Sequence, residues 1–533
     1  MTMPKAWLRW LTLALALLLL DVSVTFENIW PTPKVSWHGE LSIELAILLI
    51  LIVLSIGRGF ARSPVALAWI SVVWTALVIG RYADVTAPAL YGRDVNLYWD
   101  LRFMPDVVAM VTTVAPRWLI VVSIAAIVSV LTMLFAVSRL AWRRITDTAA
   151  HPAERRTLAF VAIATVILYL AARVPNGVTS LPRFATPVMH SYARQIGFVV
   201  RGAMSGSTPL PPSPPMEADL AAVRGADVFV VFVESYGAVS FERRDIADRL
   251  TASRLQFAAD IRDTGRDVVS AFVESPTFGG SSWLAHISLL SGIEVRDPDT
   301  NARLMSDRRD TLVRVFSRRG FRTVALMPGM RQIWPEGKFY AFDDIYSADR
   351  LAYRGPEFGW FAIPDQYSLD RLNAFEVERP SRPPLFVFFP TISTHFPFRP
   401  TPPYQPDWAR MTSERPYDGP AIVRAYAAQP DWENFAPGYV ESMIYDYAVV
   451  GGYLRTQPTR DFVMIVIGDH QPPAAVSGEG ASWNVPVHVI TSRSPILDRL
   501  RARGFRSGIS PSEPALAKMH ALLPVFLDAF SAR

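Results

Sequence analysis

The sequence contains no cysteine. That excludes disulfides, thiolate nucleophiles and cysteine-bound zinc at one stroke. Histidines number only eight, few enough to weigh one at a time. Charge is also sparse. Charged residues make up 19% of the 533, with a formal net charge of +5. No basic excess of the kind that binds nucleic acid is present, and nucleic acid is not expected as a partner. Apolar residues make up half of the chain. They crowd into its first third, which points to a membrane part followed by a soluble part.

Five apolar segments are legible, at 7–26, 41–56, 64–80, 118–137 and 158–172. Each approaches the roughly 20 residues that span a bilayer core. Lys5 and Arg9 precede the first, Arg58 and Arg62 separate the second from the third, and Arg139, Arg143, Arg144, Arg155 and Arg156 surround the turn between the last two. Basic loops stay on the cytoplasmic side. The N-terminus is therefore expected inside, and five crossings put everything after residue 172 outside. The loop 81–117 mixes Tyr91, Tyr98, Trp99 and Phe103 with charges, a composition suited to lying along a membrane surface.

A proline-rich stretch, Pro209-Leu-Pro-Pro-Ser-Pro-Pro215, reads as a stiff spacer. Beyond it, short Val/Ile/Phe runs at 228–233, 267–273, 323–327, 384–389, 462–467 and 485–490 alternate with helical patterns such as 246–261. Continuous apolar strands of this length fit a largely parallel sheet covered on both faces. The expected architecture is an N-terminal α-helical transmembrane bundle of about five helices (1–175), a connector (176–224) and a C-terminal α/β domain (225–533).

Active sites of open α/β sheets form at the carboxyl ends of strands. The first strand ends in Glu234-Ser-Tyr-Gly237 and a late one in Gly468-Asp469-His470. Two carboxylates and an imidazole are suitable ligands for one divalent cation, Mn²⁺, Mg²⁺ or Zn²⁺. Between them, Phe278-Gly-Gly-Ser281-Ser282 opens a helical pattern that closes at Gly292. A hydroxyl at a helix start beside a metal is either a plain N-cap or an activated nucleophile. Ser281 and Ser282 both qualify. His286 lies four residues after Ser282, on the same helical face. His395, in Thr394-His395-Phe-Pro-Phe398, follows a strand and is a candidate proton donor to a leaving group. Arg331, Trp334 and Lys338 stand together in Arg331-Gln-Ile-Trp334-Pro-Glu-Gly-Lys338, a segment with two cations and an indole. His488 interrupts an apolar strand and reads as a satisfied core histidine. Asp446 is a candidate support for the metal site.

Taken together, these segments resemble the alkaline phosphatase/sulfatase superfamily. The sulfatase pattern C/S-x-P-S-R-x-x-L-L-T-G places its nucleophile at Ser282 and its close at Leu289-Leu290-Ser291-Gly292. Leu284, Ala285 and His286 stand where that pattern has proline, serine and arginine, which argues against a formylglycine sulfatase. The layout is similar to a membrane branch of lipoteichoic acid synthases and phosphoglycerol transferases. In that branch a glutamate, a threonine nucleophile and an Asp-His pair hold the ion. The resemblance assigns Glu234, Ser282, Asp469 and His470 to the metal, Ser282 and His395 to catalysis, and Trp334, Arg331, Lys338 and His286 to the substrate. It implies transfer of a phospho-head group, phosphoglycerol from the membrane phospholipid phosphatidylglycerol, to an envelope glycan or other hydroxyl acceptor through a covalent serine intermediate. Phosphoethanolamine transfer, hydrolysis of a phosphodiester or sulfate ester, and a non-enzymatic envelope role are the alternatives. Oligomeric state stays open.

Overall fold

The computed structural model describes residues 5–56, 63–101, 104–105, 108, 117–173, 182–204, 209–330, 334 and 337–532. The chain divides into two compact units, one holding 1–89 and 94–207, the other 90–93 and 208–533.

The first unit is helical. Its helices are α1 (Lys5–Thr25), α2 (Ile43–Ser55), α3 (Pro64–Tyr91), α4 (Arg117–Ala149), α5 (Pro152–Ala172) and α6 (Val188–Met204). Four of them, α1, α3, α4 and α5, are long and apolar enough to cross a membrane. The second apolar segment of the sequence forms a helix of only 13 residues, α2, about 20 Å long at 1.5 Å per residue. It is pinned at its start, where Ser42 caps Leu45 N–H and donates its own N–H to Asp21 Oδ1 at 2.8 Å. Trp74 and Trp142 meet edge-on at 5.2 Å in the buried centre of this unit. Ile124, Ile127, Val128 and Met133 of α4 face outward, each more than half exposed. Apolar residues on all sides are what a hydrocarbon surrounding requires. The helix α3 continues through Arg81 to Tyr91, so the first part of the expected surface loop is helix instead; Phe103 of that loop lies outside the described residues.

The second unit is a three-layer α/β structure. Its eight strands are β1 (Asp227–Val233), β2 (Asp267–Glu274), β3 (Arg322–Met327), β4 (Asp344–Ser347), β5 (Leu385–Pro390), β6 (Phe462–Gly468), β7 (Asn484–Thr491) and β8 (Arg506–Ser507), in the order β8-β2-β7-β6-β1-β5-β3-β4. Only β7 and β8 run against the rest. Successive residues of a strand face opposite sides, and here both sides are buried. Val228, Val230 and Phe232 join one core with Ile465, Ile467 and the helices around Leu289 and Phe526. Phe229, Val231 and Val233 join the other with Met464, Val466 and the helices around Phe257 and Tyr447. That two-sided burial is why the strands read as unbroken apolar runs. The residues just after the proline-rich stretch are laid against this unit: Met216, Ala218 and Leu220 are buried in the first core, and Arg319 Nε donates to the Ala218 carbonyl at 2.7 Å.

The central strands β5, β1 and β6 are neighbours and parallel, so their carboxyl ends lie side by side. Gly468 tightens that edge. A Cβ there would sit 1.8 Å from the Tyr236 carbonyl oxygen, so only glycine lets the end of β6 approach the turn after β1.

Candidate active site

Glu234 is the first residue after β1, and Asp469 and His470 directly follow β6. All three are buried, and one ligand atom from each lies within 4.8 Å of the others. Their orientation is fixed from behind. Asp469 Oδ1 accepts the N–H of Ser235 at 2.8 Å and of His470 at 2.6 Å. Ser275 Oγ donates to the Asp469 carbonyl at 2.5 Å. His470 Nδ1 lies 2.7 Å from the Gln471 carbonyl. A ring nitrogen can meet a carbonyl only by donating, so Nδ1 carries the proton and Nε2 keeps its lone pair toward the site.

Ser282 closes the group. It opens helix α7 (Ser282–Ser291). Its Oγ lies 3.0 Å from Glu234 Oε2 and 3.2 Å from His470 Nε2. Ser281 is the N-cap residue, held in the left-handed region at φ 61° with no capping bond from its side chain, and it is exposed. The geometry separates the two adjacent serines: the left-handed turn leaves Ser281 exposed and aims Ser282 inward.

The donor set fits a divalent cation. Burial works to raise the Glu234 carboxyl, but His470 and His395 bring it below its ordinary value. Burial, together with the Glu234 charge, pushes Asp469 well above its own. Burial also lowers His470, which favours the neutral imidazole that ligates. Two buried carboxylates this close cannot both ionise without a counter-charge. Two carboxylate oxygens, one imidazole and one hydroxyl are the oxygen and nitrogen donors that zinc or manganese accepts.

The strand that ends beside β1 supplies a support the sequence did not reveal. Thr391 Oγ1 accepts the Glu234 N–H at 3.1 Å, and Thr394 Oγ1 donates to the Glu234 carbonyl at 2.5 Å. Both hydroxyls also reach Asp446 Oδ2, at 3.3 and 3.2 Å. Asp446, singled out from sequence as a support, does sit behind the site. Burial and Asp365 push its carboxyl well above the ordinary range. Asp365 accepts the Ile392 and Ser393 N–H groups at 2.9 and 2.7 Å and so shapes the turn leading to His395. Two threonines after a strand were the available signal for the hydroxyls; Asp365, at the start of the helix Asp365–Leu372, carried none.

His395 is half-buried, with its ring edge-on to Phe361 at 5.0 Å. Its Nδ1 is 2.7 Å from the Phe396 carbonyl and so carries a proton. With Nδ1 protonated, neutral His395 offers Nε2 only as a base, and it donates from Nε2 only as an imidazolium. His286 is packed between Phe232 and Phe388, at 4.6 and 5.3 Å, and its buried Nε2 has no partner. Trp334 leans on Tyr340 and stacks with Phe342, and Phe342 meets Phe388. The indole therefore belongs to one aromatic wall with His286. Lys338 is exposed on the short helix Gly337–Tyr340. Arg331 lies outside the described residues. His488 is satisfied as read from sequence, 2.9 Å from Tyr236 Oη and 2.7 Å from Ser270 Oγ.

Burial lowers both His286 and His488 to about 3. The unfolded chain protonates them near 6.5, so between these limits it binds more protons than the native state, and stability rises with pH. Acid should therefore weaken the fold below about pH 6.5, by about 1.4 kcal/mol per pH unit for each histidine. Melting temperature measured from pH 7 down to pH 4 should fall steadily, and His488→Asn should flatten the slope.

No family model and no curated protein matches the sequence. Among solved structures, the chain is similar to the lipoteichoic acid synthase LtaP from Listeria monocytogenes, at 12% identity and TM-score 0.36 over 54% of this chain and 70% of that one. A protein in the alkaline phosphatase superfamily from Vibrio parahaemolyticus is similar at 16% identity and TM-score 0.33, over 55% and 68%. The phosphoglycerol transferase GacH from Streptococcus pyogenes, in complex with sn-glycerol-1-phosphate, is similar at 12% identity and TM-score 0.35, over 64% and 81%. The likeness is one of fold.

Proposed function

We propose that this chain is a metal-dependent transferase of phospho-head groups, acting at the outer face of the cytoplasmic membrane. The observation that carries the proposal is Ser282 Oγ, held at the start of a ten-residue helix within hydrogen-bond reach of both Glu234 and His470. The substrate is a membrane phospholipid, phosphatidylglycerol, and the acceptor is a hydroxyl of an envelope glycan. A divalent cation held by Glu234, Asp469, His470 and Ser282 would lower the serine pKa and offset charge on the phosphoryl oxygens.

Within this scheme Ser282 Oγ attacks phosphorus and its proton passes to Glu234 Oε2. The P–O bond to diacylglycerol breaks. His395, as the imidazolium, gives its Nε2 proton to the departing alkoxide. Diacylglycerol stays in the bilayer and the phosphoglycerol group stays on Ser282. In the second half, neutral His395 Nε2 takes the proton of the acceptor hydroxyl, the acceptor oxygen displaces Ser282, and Ser282 recovers its proton from Glu234. Backbone N–H groups at the start of α7 favour the anionic phosphoryl group throughout. On this reading His286 and Trp334 serve the substrate, and Arg331 and Lys338 supply cations for its phosphate.

The test is diacylglycerol release from labelled phosphatidylglycerol by the full-length protein, with and without Mn²⁺. Release that needs the metal supports the reading. No release, with turnover of phosphatidylethanolamine or of soluble phosphate or sulfate esters instead, overturns the donor and leaves a sulfatase-like enzyme of another specificity.

A further inference from the structure

Among the described residues 209–532, the exposed large apolar side chains are Leu255, Val423, Tyr426, Trp432 and Ile444. Three of those five fall within ten residues of one another. They belong to the segment 419–435, which follows the His395 turn. The helix in it, Gly419–Ala427, has the sequence GPAIVRAYA and no buried residue at all. Val423 is 68% exposed and Trp432 65%. Ile422 and Ala425 lean on the core beneath it, but the side that carries Val423 is apolar and exposed, which is unfavourable in water.

The segment is nevertheless held in place. Tyr426 stacks on Phe358 at 5.5 Å and donates its hydroxyl to the Glu357 carbonyl at 2.9 Å. Its far end reaches the active site through rings. Trp432 meets Phe396 at 6.3 Å and Phe435 at 5.6 Å, and Phe396 adjoins His395 in the chain. An apolar ridge therefore runs from the rim of the catalytic site to open surface.

We propose that the segment 419–435 is a bilayer-contact surface, which sets the mouth of the catalytic site in the headgroup layer. Three features favour lipid over other occupants. Val423, the most exposed of them, is aliphatic and cannot stack on a sugar ring, which argues against a glycan. Trp432 and Tyr426 are the side chains that settle at membrane interfaces, apolar in body and polar at the tip. Among the described residues, four helices of the same chain are long and apolar enough to cross a membrane, so a lipid surface is at hand. Asp431 and Glu433 flank Trp432, so the contact is apolar and not an electrostatic attraction to anionic lipid. The inference rests on the lipid-substrate reading for its purpose, but bilayer contact is measured without turnover.

The absence of native cysteine makes the experiment direct. Val423→Cys, Trp432→Cys and the control Leu255→Cys are each labelled with an environment-sensitive fluorophore in the full chain. The proteins are reconstituted in phosphatidylethanolamine/phosphatidylglycerol vesicles with or without shallow doxyl-labelled lipid. Labels at 423 and 432 should shift to the blue and be quenched at least about two-fold more than the label at 255, with little dependence on salt. Labels as water-exposed as the control overturn the inference. So does protection that coincides with disulfide cross-linking of Val423→Cys between two copies, or protection that arises only when oligosaccharide is added. Bilayer contact without lipid turnover would sink the substrate reading and leave this one standing.

Discussion

Ser282→Ala should lower kcat by roughly 10⁴-fold or more, the scale expected when a covalent nucleophile is removed. Ser281→Ala should leave kcat near that of the parent. The contrast follows from the helix start. Ser282 Oγ points at Glu234 and His470, whereas the exposed Ser281 supplies no side-chain cap. Ser282→Thr keeps the hydroxyl and should retain activity. Steady-state rates on labelled phospholipid, with circular dichroism as a check on folding, measure all three. Equal loss in both alanine variants would mean that the turn, not the Ser282 hydroxyl, is what the reaction needs. Unchanged activity in Ser282→Ala would remove serine from the chemistry.

Stripping divalent metal should abolish turnover and lower the melting temperature, and Mn²⁺ or Zn²⁺ should restore both. An ion at about 100 times its dissociation constant stabilises the native state by about 2.7 kcal/mol, enough to move the transition by several degrees. Glu234→Gln and Asp469→Asn should lose this metal-dependent rise. Asp469→Asn should not lower the melting temperature of the metal-free protein by much, because burial already disfavours the Asp469 carboxylate there. The same argument gives the pH sign. Binding must displace the proton that the crowded carboxylates retain, so affinity should rise with pH and protons should be released on titration in weak buffer. A melting temperature indifferent to metal would exclude a buried cation among Glu234, Asp469 and His470.

Much of the second unit was legible because its chemistry sits where local patterns stop. Glu234 ends the apolar run 228–233, and Asp469-His470 end the run 462–467, so an abrupt change of residue type marks the strand end. Helical length was harder. Apolar composition placed the helices of the first unit but not their lengths: α2 has 13 residues, and α3 continues past Gly80 into mixed sequence. Composition measures transfer to hydrocarbon, whereas a helix ends where its backbone bonds and caps end.

The linear sequence alone determined that no thiol chemistry operates here, that apolar segments dominate the first third, and that a few strand ends carry acid, hydroxyl and imidazole groups. Only the tertiary structure decided how those groups meet. Sheet order set β5, β1 and β6 side by side, and so brought Thr391, Glu234 and His470 together from separate parts of the chain. The left-handed turn at Ser281 chose between adjacent serines, and the Phe396 carbonyl chose the proton-bearing nitrogen of His395. Asp365 and Asp446 acquire their raised pKa values from burial and from neighbouring carboxylates, Glu234 for Asp365 and Asp365 for Asp446. The physical reason is the same in each case. Hydrogen bonding and desolvation act over a few ångströms in space, and separation along the chain does not record which groups will come that close.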